Sequence, residues 1–391
     1  MNFILTDGNR REDLFPLTLT RPVADIRIGI LTIREKWEKW LDAPMSFRTE
    51  AYLSEKFPLN WKEDNIVIDG SYLPNADLVK AIQGLEPEEA LMDDGECIAY
   101  RTRKGEGNFD AHAFKTIPHD FGGISVKNTW DIFSRNGEAM EADFKLVTQG
   151  RKSQPISSTN RVLAPENIFI EEGASMEFCI LNATNGPIYI GKNAQVMEGC
   201  MIRGGFALCE GGILKMGAKI YGPTTAGPHC KLGGEVNNSV LFANSNKGHD
   251  GYLGNSVLGE WCNLGADTNN SNLKNNYAEV RLWNYKTQGF AKTGLQFCGL
   301  IMGDHSKCGI NTMFNTGTVV GVSANIFGTG FPRNFIPSFS WGGASGFTTF
   351  LPQKAIEVAM VVMKRRNLEC NEIESRILGH VFELTQKWRN Y

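Results

Sequence analysis

Apolar residues recur at every sixth position through much of the second half of the chain, and that period excludes most folds. Stepping by six from Ile190 gives Val196, Ile202, Leu208, Leu214, Ile220, Ala226 and Leu232. With 42% of the chain apolar, one fixed register would produce that run about once in a thousand trials, so it constrains the fold. The same step leads from Tyr252 to Leu258 and Leu264, and from Met302 to Cys308, Phe314, Val320 and Ile326. Six residues match neither the 3.6 of a helix nor the alternation of a long strand. They match short strands that turn a corner every sixth residue, three sides to a coil. Gly191, Gly259 and Gly265 follow step positions, where a tight corner needs a permissive backbone. A single coil leaves its apolar face open until another stacks on it. Residues 188–328 are therefore expected to form stacked coils with a cap at each end.

The three runs are out of phase, which predicts insertions at about 238–250 and about 270–300. Loops thrown out of a regular solenoid commonly carry function; the alternative is plain irregular connections. The 42 glycines crowd between 170 and 350, whereas residues 1–150 mix helix and strand patterns. MNFIL and NIVIDG read as strands, the second ending in Asp69. RIGILTIREKWEKWL and NADLVKAIQG read as helices. Such alternation predicts a parallel α/β sheet. A polar stretch with two prolines follows the helical pattern NTWDIFSRNGEAMEADFKLV and reads as a connection. The expected organisation is an α/β domain over 1–150, a linker over 151–167, a parallel β-helix over 168–350 and a helical extension over 351–391. The two helical patterns after Pro352 are expected to cap or clasp the coils.

Forty Lys and Arg against 43 Asp and Glu leave a formal charge of -3. Nothing in that balance gathers nucleic acid or an anionic membrane, so neither is an expected partner and small molecules are. Nine cysteines (97, 179, 200, 209, 230, 262, 298, 308 and 370) show no C-x-x-C pair and read mostly as reduced core thiols. The start, MNFILTDGNRRED, has no basic segment leading into a long apolar one, and no run of about 20 apolar residues follows, which gives a cytoplasmic expectation.

The stretch NKGHDGYLGNSVLGEWCNLGADTNNSN, residues 246–272, carries the chemistry. An amine attacks a thioester only when neutral, so acyl transfer to nitrogen benefits from a base that titrates near neutrality, and His249 is the candidate. Its alternative is a surface histidine without a role. The stretch resembles the acetyltransferase segment of the bifunctional bacterial family that acetylates glucosamine-1-phosphate and then uridylylates the product. That family reads K-x-G-H-x-x-Y-L-G, then I-G-x-x-x-N-I-G-A-G-T, then a further Asn. His249, Tyr252, Leu253, Gly254, Gly259, Asn263, Gly265, Ala266, Thr268 and Asn272 fall in register. The resemblance implies a left-handed parallel β-helix of hexapeptide-repeat type, acetyl-coenzyme A as cosubstrate and a homotrimer with sites between neighbouring coils. It gives Tyr252, Asn263 and Asn272 contacts to the amino sugar, and Ala266 a place beside the pantetheine arm. Coil packing is the alternative for Asn263 and Ala266. The family's acidic residue falls on Glu235 and its phosphate-binding Arg on Lys219, but its phosphate-binding Lys falls on Asn237. A phosphate dianion calls for cations; Lys274 and Arg281 could replace them from the inserted loop, or be solvated loop residues.

The amino-terminal part resembles the sugar nucleotidyltransferase half of the same family. That half carries L-A-A-G-x-G-T-R followed by P-L-T and K-P, and holds nucleotide phosphates on a glycine-rich backbone. Residues 5–22, LTDGNRREDLFPLTLTRP, keep P-L-T and R-P but reduce the glycine loop to Gly8. Arg10, Arg11 and Arg21 are the candidate phosphate ligands. Asp69 could hold Mg²⁺, with an ordinary strand-ending turn as its alternative. Three readings follow. The first is acyl transfer, most simply of acetyl, to the amine of an amino sugar or its phosphate, with His249 as base. The second is nucleotidyl transfer to a sugar-1-phosphate by the amino-terminal domain, alone or as a second activity. The third is a non-catalytic regulator that senses sugar nucleotides; it predicts ligand binding without turnover.

Overall fold

The computed structural model describes residues 1–107 and 109–391. The chain divides into two compact units. One holds Met1–Leu14, Arg21–Ile26 and Leu31–Lys127; the other holds Phe15–Thr20, Arg27–Ile30 and Asn128–Tyr391.

In the first unit the elements are β1 (Asn2–Thr6), α1 (Ile33–Leu41), β2 (Met45–Arg48), β3 (Asn65–Asp69), α2 (Ala76–Gln83), β4 (Glu89–Asp93), β5 (Glu96–Thr102) and β6 (Lys115–Pro118). Local chemistry starts both helices. Thr32 and Glu35 form a reciprocal capping box at α1, and Asn75 accepts from Leu78 N at 2.8 Å at α2. The sheet order is β2-β1-β3-β5-β4-β6. β1 runs parallel to β2 and β3, and β4 parallel to β6, but β5 is antiparallel to both β3 and β4. The expected parallel sheet is thus a mixed one. The reason is local: Asp94 and Gly95, at φ 45° and 83°, close a two-residue hairpin between β4 and β5.

The second unit is a three-sided parallel β-solenoid with helices against it. Strands at Ile168–Ile170, Ile188–Ile190, Phe206–Leu208, Thr224–Ala226 and Val240–Leu241 begin one face, and the other two faces stack the same way. The step residues point inward: Ile190, Val196, Ile202, Leu208, Leu214, Ile220, Ala226 and Leu232 are all at most 3% exposed and share one core. Full coils run 18 residues from Leu208 to Ala226, then 15 to Leu241, 17 to Leu258 and 44 to Met302. The phase slip near 240 is therefore a shortening, not the insertion expected at 238–250. Gly233 and Gly234, the latter at φ 69°, take the chain from inward Leu232 to inward Val236 in four residues rather than six. The longer insertion is present, and it folds into an antiparallel hairpin of Arg281–Asn284 with Gly289–Lys292.

The first strand of the solenoid is Arg161–Leu163, paired with Ile180–Asn182, so the stretch expected to be a linker over 151–167 already contributes to the stack. Helices α3 (Asp131–Ser134) and α4 (Asn136–Thr148) also group with the solenoid rather than with the amino-terminal part. Polar anchors explain this. Asn136 accepts from Gly29 N at 2.7 Å and donates to Pro223 O at 3.0 Å, Asp143 accepts from Ile30 N at 2.7 Å, and Thr225 Oγ1 donates to Gly29 O at 2.8 Å. The face carrying Ala207, Thr225, Val240, Val257, Ile301 and Val319 is buried outside as well as inside. At the carboxyl end, α5 (Pro352–Lys364) and α6 (Glu372–Leu384) lead into segments that clasp the coils. Arg366 donates to Asn246 Oδ1 at 3.0 Å, and Tyr391 and Ser340 hydroxyls meet at 2.8 Å. No helix among the described residues is long and apolar enough to cross a membrane, and eight of the nine cysteines are buried.

Candidate functional site

On a parallel stack, residues in register form outward columns, so positions far apart in sequence become neighbours. Lys219 pairs in register with Glu235, and Glu235 with Tyr252. Three predicted residues thus line one column of one face. Tyr221 Oη donates to Glu235 Oε1 at 2.5 Å, and Asn272 Nδ2 donates to Tyr252 Oη at 2.9 Å and to Asn255 Oδ1 at 2.7 Å. Asn272 therefore reaches the column from the start of the inserted segment.

His249 occupies the corner that joins Asn246–Lys247 to Tyr252–Gly254. It is exposed, and its imidazole makes no hydrogen bond among the described residues. Ala266 lies on the corresponding corner of the next coil, between Asn263–Leu264 and Asn269–Asn270. Asn263 is on the adjoining face, where it accepts from Asn246 Nδ2 at 3.2 Å, and so is not brought into the Tyr252 column. Backbone crowding fixes this corner. Gly251 sits at φ 108°, and a Cβ there would stand 2.2 Å from Thr268 O, so the position excludes a side chain.

One residue at this corner escaped the sequence reading. Lys247 takes the inward place between Leu232 and Leu264, is fully buried, and donates to Gly233 O at 3.3 Å, His249 O at 2.5 Å and Asp250 O at 2.9 Å. Burial pulls its amine down to about 8. The ammonium replaces an apolar knob with an anchor that holds the backbone of His249. The signal was available: Leu241, Lys247 and Leu253 are successive steps of six, and a lysine at an apolar step is anomalous.

In the first unit a cavity of about 460 Å³ opens at the carboxyl ends of the parallel strands β1 and β3 and includes Thr6, Gly8, Arg48, Asp69, Glu96 and Tyr100 in its lining. Ligands of open α/β sheets commonly bind at such strand ends. Gly8 and Asp69 meet there: a Cβ on Gly8 would stand 2.1 Å from Asp69 Oδ2. Asp69 Oδ1 accepts from Ser71 N at 2.8 Å and Ser71 Oγ at 2.7 Å, and burial pushes its carboxyl up against those bonds and Arg10. Arg10 is ion-paired with Glu96, which also accepts from Lys127 Nζ at 3.1 Å. Arg11 and Arg21 are buried outside the cavity lining. Arg11 lies 3.1 Å from Asp7 and donates to Tyr52 Oη at 2.6 Å, while Arg21 lies 3.9 Å from Asp25. No group of three or more His, Cys, Asp or Glu that could hold a metal occurs among the described residues. Asp69 alone offers one carboxylate, a number Mg²⁺ accepts when substrate phosphates fill its remaining positions. Arg48, Glu96 and Tyr100 were not legible as site residues, because they reach the cavity only through the pairing of β2 with β1 and of β5 with β3.

Residues 3–152 match the family model described as sugar nucleotidyl transferase. No curated protein matches the chain. Among solved structures, the chain is similar to a UDP-N-acetylglucosamine acyltransferase from Arabidopsis (14% identity, 55% of this chain and 80% of that one, TM-score 0.25). It is also similar to a UDP-N-acetylglucosamine acyltransferase from Bacteroides fragilis (15% identity, 59% and 85%, TM-score 0.27) and to a polySia-specific acetyltransferase (10% identity, 49% and 79%, TM-score 0.23).

Proposed function

We propose that the solenoid transfers an acyl group, acetyl from acetyl-coenzyme A, to the amine of an amino sugar or amino-sugar phosphate. The observation that carries this reading is the column of Lys219, Glu235, Tyr252 and Asn272 beside a corner where His249 is exposed and unengaged. Uncharged Tyr and Asn groups suit sugar hydroxyls, Glu235 suits the amine, and Lys219 suits a phosphate. The amine nitrogen attacks the thioester carbonyl, His249 takes the nitrogen's proton, and the C–S bond breaks to release the coenzyme thiolate, which the proton then neutralises. Ala266 leaves room at the neighbouring corner for the pantetheine arm, and Asn263 would act from the adjoining face. A homotrimer is part of this reading. Ile180 and Met201, neighbours in register, are exposed by 52% and 44%, and a second copy would cover them.

The test supplies acetyl-coenzyme A with a panel of amino sugars and their phosphates and follows free thiol. His249→Ala is expected to lower turnover by about 10²- to 10³-fold. Absence of thiol release with every acceptor, or equal activity of the variant, would end this reading.

A second activity is favoured by the family match over residues 3–152 and by the cavity that joins Gly8 to Asp69. The first unit would join a nucleotide to a sugar-1-phosphate. Asp69 would hold Mg²⁺ with the substrate phosphates, and the ion would offset their charge. Arg48 lines the same cavity and would supply a fixed cation. Pyrophosphate release from nucleoside triphosphates and sugar-1-phosphates tests it, and Asp69→Asn should abolish the release.

A further inference from the structure

The inserted hairpin and the last coils enclose a cavity of about 810 Å³ that neither proposed reaction uses. Its charge is one-sided. Lys274, Arg281 and Arg333 line it, and no Asp or Glu does among the described residues. Glu279, just before the hairpin, is committed elsewhere: it pairs with Lys292 at 3.4 Å and accepts from Gly294 N at 2.7 Å. Lys274 is held in place by donating to Glu279 O at 3.0 Å, and Arg281 and Arg333 are exposed. Three cations facing one space repel one another until an anion enters it.

The rest of the wall is aromatic. Trp283 stacks on Phe335 with ring centroids 4.2 Å apart and planes 10° apart, and Trp388 continues the lining. Trp283 Nε1 and Trp388 Nε1 are both buried with no hydrogen-bond partner among the described residues. Neither N–H reaches the open space, so both belong to the packed wall behind it. Three cations and a flat aromatic wall together match a phosphate-bearing aromatic molecule. The volume lies within the usual range for ligands of that size.

We propose that this cavity is a nucleotide-binding site, with the phosphates held between Lys274, Arg281 and Arg333 and the base against the Trp283–Phe335 wall. It begins two residues beyond Asn272, and it does not depend on either reaction proposed above. The same chemistry is offered by a free nucleotide and by the nucleotide end of coenzyme A. Titration of the full chain with ADP, adenosine 3′,5′-bisphosphate and coenzyme A, read by calorimetry and by tryptophan fluorescence, separates the two. A free-nucleotide site binds ADP as well as coenzyme A, whereas a coenzyme site prefers the two 3′-phosphorylated ligands.

At least one of the three is expected to bind with a Kd near or below about 100 μM, and the double variant Arg281→Ala/Arg333→Ala to weaken it by about tenfold or more. Both arginines are exposed, so the variant should keep its fold. A charge-retaining Arg281→Lys/Arg333→Lys pair should recover part of the affinity. The proposal is overturned if none of the three binds up to about 1 mM. It is equally overturned if the double alanine variant binds like the wild type, which would assign any nucleotide binding to the cavity of the first unit.

Discussion

The solenoid and the amino-terminal sheet both bury parallel strands, but they do so by different rules. In the sheet, β1 and β3 are buried almost throughout, because a parallel strand inside an α/β unit is covered on both faces. In the solenoid, a strand such as Met201–Arg203 buries only its central residue, since the interior is supplied by the coil itself. The sheet depends on contacts between segments distant in sequence, whereas each coil depends on its two neighbours. A periodic core should therefore tolerate an anomaly only where local backbone can satisfy it, and Lys247 is the case in point.

That contrast is sharpest at one inward column. Leu214→Asp places an unpaired carboxylate where Leu214 is fully buried between Val196 and Leu232. It should cost more than about 4 kcal/mol and prevent cooperative folding of the second unit, as judged by denaturant titration. Normal stability in that variant would mean that the column is not a tight core. Lys247→Met, on the same column, should fold, because its neighbours above and below are leucines. Its effect should fall on catalysis: with the ammonium gone, the His249 backbone loses its anchor, and acyl transfer should drop by about 10- to 100-fold without loss of structure.

The two proteins should also differ with pH. The folded amine of Lys247 is held down at about 8, below its unfolded value, so charging it opposes folding, and stability rises as pH climbs through that window. Wild type should gain on the methionine variant by about 2–3 kcal/mol between pH 7 and 10 in thermal unfolding. A constant gap would mean that Lys247 titrates normally. The smallest effect belongs to the sheet. Gly95→Ala meets open space but keeps φ 83°, and should lower the stability of the first unit by about 1 kcal/mol through backbone strain alone.

The sequence by itself determined the solenoid and its inward residues, because a period of six is a local rule repeated until it is unmistakable. It also marked His249 and Tyr252 in one short segment, Gly8 and Asp69 at strand ends, and the hairpin-bearing insertion near 280. Asp94-Gly95 was a readable hairpin signal too, although the order of the strands around it was not. Only the tertiary structure decided that the slip near 240 is a tightened Gly233–Gly234 corner. The same structure stacked Lys219, Glu235 and Tyr252 in a column that excludes Asn263, and brought Lys274, Arg281 and Arg333 to one cavity. Those outcomes depend on register between coils and on loop closure across tens of residues. Both are set by packing between segments, which no local pattern encodes.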